Sequence, residues 1–139
     1  MVSAPRRAWH VEWDDGFRTD IPAIDAEHRA FVDLVNELNA RIQTGTSCVD
    51  IRPVVKALIR DIATHFEHEE RWLEQWRYSE RRSHAVMHGI ILDRLAQLTR
   101  LLVEETPVSA RVQIGLAIRD LLITHIRTED SKLAGMEGD

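Results

Sequence analysis

Four stretches of the chain repeat apolar residues at intervals of three and four, the period of one buried helix face. The first runs from 22 to about 43, with Ile24, Phe31, Leu34, Val35, Leu38 and Ile42 on one stripe and Pro22 suited to its first turn. Thr44, Gly45, Thr46 and Ser47 break the pattern, and Gly45 is placed to end the helix. The second helix is predicted to begin near Asp50, read as its N-cap with Pro53 in the first turn, and to reach about 76 or 77. Leu58, Ile62, Phe66, Trp72, Leu73 and Trp76 carry its apolar spacing. Residues 78–81 lead to a third helix ending near 103, with Met87, Ile91, Leu92, Leu95, Leu98 and Leu102 on its buried face. Residues 104–107 lead to a fourth, from about 108 towards Leu133. It directs Val112, Ile118, Leu121, Leu122 and Ile126 inward, with Gly135 and Gly138 at its end.

No stretch alternates at the period of a strand, and no internal repeat is visible. Four amphipathic segments joined by short connections predict an all-α fold, an antiparallel up-down-up-down four-helix bundle. Each helix would be roughly 30–40 Å long. Residues 1–20 read as an N-terminal arm: Trp9, Trp13 and Phe17 are spaced by four, but Asp14, Asp15 and Gly16 interrupt any helix there. The arm and the bundle, 21–139, form one domain.

The apolar stripes are interrupted by histidines, and every helix contributes at least one: His28, His65, His84, His88 and His125. Glu69 follows His65 by four residues and shares its face. His84 and His88 are likewise four apart and can reach one ion from adjacent turns. A carboxylate aimed at a core is costly unless it is paired or binds a metal. Alternate helices of an up-down bundle run in opposite directions, so height is a separate test. His28 lies early in the first helix, His65 and Glu69 late in the second, His84 and His88 early in the third, and His125 late in the fourth. All fall at the end that carries the arm.

A lone core histidine is most often a hydrogen-bonded structural residue. Five at one height, with carboxylates, are too many ligands for one closed four-ligand zinc site and suit two metals bridged by carboxylates. Imidazole and carboxylate without thiolate point to iron, zinc, manganese or copper. His10 and His68 are read as surface residues, Glu67 and Glu70 as solvated, and Trp72 and Trp76 as packing.

Composition narrows the class. Of 139 residues, 44% are apolar and 29% charged, the balance of an ordinary globular domain. The net charge of −5, with arginines interleaved among acids, gives no footprint for nucleic acid. Nothing reads as a secretory signal or as a segment for membrane insertion. Cys48 is the only cysteine, so a reducing, cytoplasmic setting is expected.

In order, these motifs resemble the bacterial hemerythrin family. Trp13, Phe17-Arg18-Thr19 and Ile24-Asp25-Ala26-Glu27-His28 resemble its opening. His65-Phe66 with Glu69, His84 with His88, and His125-Ile126 with Asp130 resemble its later motifs. The resemblance implies a non-haem di-iron cofactor, Fe2+ or Fe3+, with a hydroxide or oxide bridge. One iron would take His84, His88 and His125. The other would take His28 and His65 and keep a position open for dioxygen, while Glu69 and Asp130 bridge. It also implies an apolar oxygen pocket, with Phe66, Leu122 and Ile126 as wall and Trp13 as lid. Leu121 stands where many members carry tryptophan, which implies a roomier pocket.

Spacing alone would choose Glu129, four residues after His125, over Asp130. Five residues leave roughly 140° between side chains on an ideal helix. Choosing Asp130 therefore predicts a widened, π-like turn.

The function implied is reversible dioxygen binding for storage, delivery or sensing. A di-iron oxidase or peroxidase, a redox-sensing regulatory module with a protein partner, and a metal-free bundle are the competing readings. A monomer or weak dimer is expected.

Overall fold

A computed structural model describes residues 9–134. Four helices, α1 (Pro22–Gln43), α2 (Cys48–Gln75), α3 (Arg81–Arg100) and α4 (Val108–Thr128), pack in a ring: α1 on α2, α2 on α3, α3 on α4, and α4 back on α1. The described residues contain no strand. None of their helices is long and apolar enough to cross a membrane.

The ends of the helices show where local chemistry decides. α1 closes in a Schellman turn: Thr46 N–H reaches the Arg41 carbonyl (2.9 Å) and Gly45 N–H that of Ile42 (3.1 Å), with Gly45 at φ 76°. α2 closes the same way, Tyr78 to Leu73 and Arg77 to Glu74, but the left-handed position is Arg77, at φ 55°. A non-glycine residue there is why this connection shows no breaker in the sequence.

α2 starts at Cys48 rather than Asp50. Ser47 is the N-cap, its Oγ accepting from Asp50 N–H at 3.3 Å, and Asp50 sits in the first turn, where a negative charge is favourable. Pro53 consequently lies inside the helix. The carbonyl four residues back, which the ring cannot pair, belongs to Val49, a residue 59% exposed at the surface. α3 stops at Arg100, short of 103, and Leu102 is still buried beyond it. Arg111 holds the loop that follows, donating to the carbonyls of Thr106 (2.8 Å) and Glu104 (2.7 Å).

α4 ends at Thr128, not near Leu133. Glu129 N–H still donates to the His125 carbonyl. Beyond it Lys132 bonds to Glu129 and Ala134 to Ser131, the tighter 3-10 pattern, over Asp130–Leu133. The widened π-like turn expected here is replaced by this break, which turns Asp130 and Leu133 inward (1% and 0% exposed). Gly135 and Gly138 lie outside the described residues.

The core has two parts. The larger runs along the bundle and includes Phe31, Leu38, Leu58, Ile62, Phe66, Ile91, Leu95, Ile118, Leu122 and Ile126. The smaller, at the arm end, joins Ile21, Ile24, Leu73 and Leu133, with Trp72, Trp76 and Tyr78 against it. A layer of histidines and carboxylates separates them: His28 falls between Ile24 and Phe31, Glu69 between Phe66 and Leu73, and Asp130 between Ile126 and Leu133.

The described part of the arm, residues 9–20, is docked on the bundle. Val11 and Asn36 exchange two hydrogen bonds of 2.8 Å, and Thr19 donates twice to Asp25. Asp14 caps a 3-10 turn, Asp15–Phe17, and pairs with Arg127 at 2.8 Å; the Arg127 guanidinium lies over Phe17. The arm thus ties α1 to α4.

Two glycines make opposite predictions. A Cβ on Gly115 would run into Asn39 Oδ1 and come within 2.9 Å of Ile42 Cδ1, both on α1, whereas one on Gly89 meets nothing within 4 Å. Gly115→Ala should lower unfolding free energy by about 1–2 kcal/mol despite its better helix propensity. Gly89→Ala should raise it by about 0.5–1 kcal/mol. Denaturant titration of both variants checks the pair; equal effects would refute the close α1–α4 contact.

Candidate metal centre

The layer between the two cores is built one side chain at a time by the helix repeat. On α1, His28 follows Ile24 by a turn and precedes Phe31. On α2, His65 and Glu69 lie one turn apart, between Ile62 and Leu73. On α3, His84 and His88 continue into Ile91. On α4, His125 follows Leu122. Their shared height, expected from the alternation of direction, brings all five imidazoles together with Glu69 and Asp130. Each of the seven is 0–5% exposed.

Two overlapping sets result. In one, ligand atoms of Glu69, His84, His88, His125 and Asp130 all lie within 4.8 Å of one another; in the other, those of His28, His65, Glu69 and Asp130 do so. The carboxylates divide their oxygens between the sets. Glu69 Oε1 faces His84 Nε2 and His88 Nε2 (3.2 Å), and its Oε2 faces His65 Nε2 (2.9 Å). Asp130 Oδ1 faces His84 and His125 (3.1 Å each), and its Oδ2 faces His28 (3.0 Å). The 3-10 break after Thr128 makes the second division possible, because a continued α-helix would carry Asp130 roughly 140° away from His125.

The donor set fits metal ions. Glu69 Oε2, both Asp130 oxygens and His125 Nε2 are buried and make no hydrogen bond among the described residues, although ring nitrogens and carboxylate oxygens stand about 3 Å apart. His28 Nε2 and His65 Nε2 face each other at 3.1 Å. Lone pairs so arranged share a direction rather than a proton. Adjacent ligands of an octahedral divalent ion, with bonds of about 2.1 Å, stand about 3 Å apart, the spacing seen here.

Around the ligands the walls are apolar. Phe66 stacks on His88 at 3.8 Å and meets His125 edge-on, and Phe31 meets His65 edge-on at 5.0 Å. Leu122 and Ile126 are buried. Leu121 is only half-buried and lines a surface cavity of about 470 Å³ with Arg94, Leu98 and Ala117. Trp13 stacks on Phe17 at 5.1 Å, and the Arg29 guanidinium lies over its outer face.

Two acids missed in the sequence stand behind the histidines. Glu27 Oε1 accepts from His65 Nδ1 at 2.9 Å and Glu70 Oε2 from His88 Nδ1 at 3.1 Å. Glu70 is therefore not simply solvated. His68, read as a surface residue, is partly buried and donates to Glu27 at 2.9 Å. His10 is exposed, as expected. The one signal available was adjacency: Glu27 precedes His28 and Glu70 follows Glu69. A neighbour in a helix points about 100° away, which here means towards the next helix.

The same atoms hold protons tightly when no cation neutralises the carboxylates. Burial alone would push the His65 pKa down, but Glu27 and Glu69 raise it to about 9. Burial likewise opposes Asp130 and Glu69 at His84, whose pKa reaches about 10. Burial and the Asp130 charge push Glu69 up, yet the neighbouring imidazoles of His65, His84 and His88 bring it to about 2. Burial is also overcome at Asp130, held well below its ordinary value by His125, His28 and His84. Metal ions bound here would compete with protons for one set of lone pairs.

Comparison with known proteins agrees with this geometry. The Hemerythrin HHE cation binding domain family matches residues 19–136. The chain is 29% identical over 126 residues to the bacteriohemerythrin of Pseudomonas aeruginosa, an alignment covering 88% of this chain and 78% of that protein. It is 28% identical over 123 residues to myohemerythrin-1 of Phascolopsis gouldii, covering 88% and 91%. It is 27% identical over 119 residues to the bacteriohemerythrin of Methylococcus capsulatus, covering 86% and 88%. The chain belongs to the hemerythrin family, whose non-haem di-iron centre binds dioxygen.

A pH profile tests the electrostatics. Raised imidazole pKa values contribute stability that is complete below the unfolded value of 6.5 and lost as pH climbs through about 9 and 10. The depressed Glu69 contributes stability present above 4.5 and lost as pH falls through about 2. Protein stripped of metal should therefore show a thermal midpoint that declines on both sides of a plateau. The metal-loaded protein should resist the alkaline decline. A metal-free midpoint that stays flat through the alkaline range would remove the buried ion pairs from the account.

Proposed function

We propose that this chain binds dioxygen reversibly at a di-iron centre and serves in oxygen storage, delivery or sensing. The observation that carries the reading is the unequal division of ligand atoms, five in one set and four in the other, with Glu69 and Asp130 in both. His84, His88 and His125 would hold one iron and His28 and His65 the other. An iron pair held there would supply the two-electron chemistry that dioxygen binding requires.

The remaining work belongs to the chain. The four-ligand set leaves more room for an exogenous ligand, so His28 and His65 define where dioxygen enters. Phe31, Phe66, Leu122 and Ile126 keep that volume apolar, which favours a small neutral guest and disfavours water. Ligand atoms held by four helices are oriented before metal arrives. Leu121, beside an open cavity, leaves the α3–α4 seam less covered than a larger side chain would, and Trp13, stacked on Phe17, would be the lid on the arm side.

Sensing has its own support. Arg127, two residues after His125, anchors the arm through Asp14 and Phe17. A shift of α4 on a change of iron state would be felt at the arm, where a protein partner could read it.

Metal analysis together with an anaerobic-to-air absorption spectrum tests the proposal. Two irons per chain and a visible band that appears in air and disappears on removal of oxygen are expected. Two irons converting directly to an oxidised form would shift the function to redox sensing or oxidase activity. No stoichiometric iron after growth in ample iron would overturn the reading.

Glu69→Ala gives an independent check on the bridge. It should lower retention of both irons, whereas His28→Ala should cost about one of the two, because outer and inner ligands each contribute at least tenfold in affinity. Equal iron content in the two variants would contradict the roles assigned.

A further inference from the structure

The histidines of the two sets differ in what stands behind them. In the four-ligand set, His28 Nδ1 is buried and without a hydrogen-bond partner among the described residues, while His65 Nδ1 meets Glu27 Oε1 at 2.9 Å. Glu27 is thus the one described outer partner of the nitrogen donors at that position. It belongs to α1, and its target belongs to α2. It is itself held: His68 Nδ1 lies 2.9 Å from its Oε2 and 3.2 Å from its Oε1, so both oxygens face histidines of α2. Its side chain is 27% exposed, which keeps part of the carboxylate in contact with solvent. Glu70, behind His88 in the five-ligand set, has a 42% exposed side chain and supports a position with three histidines rather than two.

We propose that Glu27 is a positioning residue for the four-ligand iron, acting through His65, with His68 as the clamp that keeps Glu27 in place. This rests on the di-iron reading above and deepens it. Glu27 does two separable things. As an acceptor it fixes His65 in the Nδ1–H form, so that the Nε2 lone pair points into the centre. As a negative charge it makes the imidazole a stronger electron donor and favours the more highly charged, oxidised iron. The position that would meet dioxygen is therefore the one whose electron richness is set by a residue that never touches the metal. A structural staple between α1 and α2 would account for the contacts but not for an effect on redox behaviour.

The test compares the iron-loaded wild type with Glu27→Gln, Glu27→Ala, His68→Ala and Glu67→Gln. Glu67 is an exposed acid on the same helix as His65 and serves as the control for a general charge effect. Iron per chain, the rate of iron loss to a chelator and the midpoint potential of the iron pair are read for each. Glu27→Gln retains an acceptor oxygen without the charge; it should keep both irons and shift the midpoint potential to a more positive value. Glu27→Ala should shift it in the same sense and release one of the two irons about 10–100-fold faster. His68→Ala should show a smaller shift in the same direction, and Glu67→Gln none.

Wild-type potential and release rate in both Glu27 variants would overturn the inference while leaving the di-iron centre intact. A shift in Glu67→Gln as large as that in Glu27→Gln would also overturn it, since bulk charge would then explain the effect. If Glu27→Ala does not fold, Glu27→Gln decides through the potential alone. Wild-type protein without an iron pair would overturn the proposed function, and this inference with it.

Discussion

Two carboxylates with almost no exposure to solvent are the constraint on which the structure turns. Glu69 and Asp130 sit in the middle of an apolar bundle, where an unpaired charge is prohibitive. Five imidazoles from four helices answer that charge, and each helix must enter at the right height and rotation to supply its share. The requirement therefore reaches far beyond the site. It sets the register of α1 against α2, explains the fully buried His28 and His65, and explains why α4 ends where it does.

The interruption of α4 is the clearest case of site chemistry overriding local regularity. The sequence offers Glu129 at the spacing an unbroken helix would use, yet Glu129 is the cap residue and Asp130 the one in the centre. The chain reaches this by tightening after Thr128, and the tightened turn also buries Leu133 against Ile21, Ile24 and Leu73. One change of backbone pitch thus brings a carboxylate to the histidines and buries a core residue together. The opposite solution, a widened turn, would also have redirected Asp130, and spacing alone could not choose between them.

Much of this was legible in the sequence, and the reasons are physical. Helix number, order and inward face follow from apolar periodicity, because removing apolar surface from water is the main force that assembles a bundle. The five histidines and Glu69 follow from metal-type side chains breaking those stripes at a common height, whereas Asp130 follows only from the family resemblance, since spacing favours Glu129. What escaped notice depends on contacts between helices or on single backbone angles. Arg77 in the left-handed region, Ser47 as a cap in place of Asp50, and the inward reach of Arg111 leave no periodic trace. Glu27 and Glu70 escaped for a related reason: charged residues at helix flanks are usually solvated, and only the assembled bundle shows that these flanks face the next helix.

The division of the apolar interior into two clusters has a consequence for how the molecule comes apart. The smaller cluster, around Ile21, Ile24, Leu73 and Leu133, does not merge with the long core, and the polar layer intervenes. Cohesion across that layer depends on what the histidines and carboxylates share, whether protons or metal ions. The molecule therefore has a seam. Without a cation the end built on the smaller cluster would open more readily than the long core. Metal occupancy would then govern local opening around Ile21, Ile24, Leu73 and Leu133 rather than folding as a whole, while Phe17 of the arm stays packed on the long core.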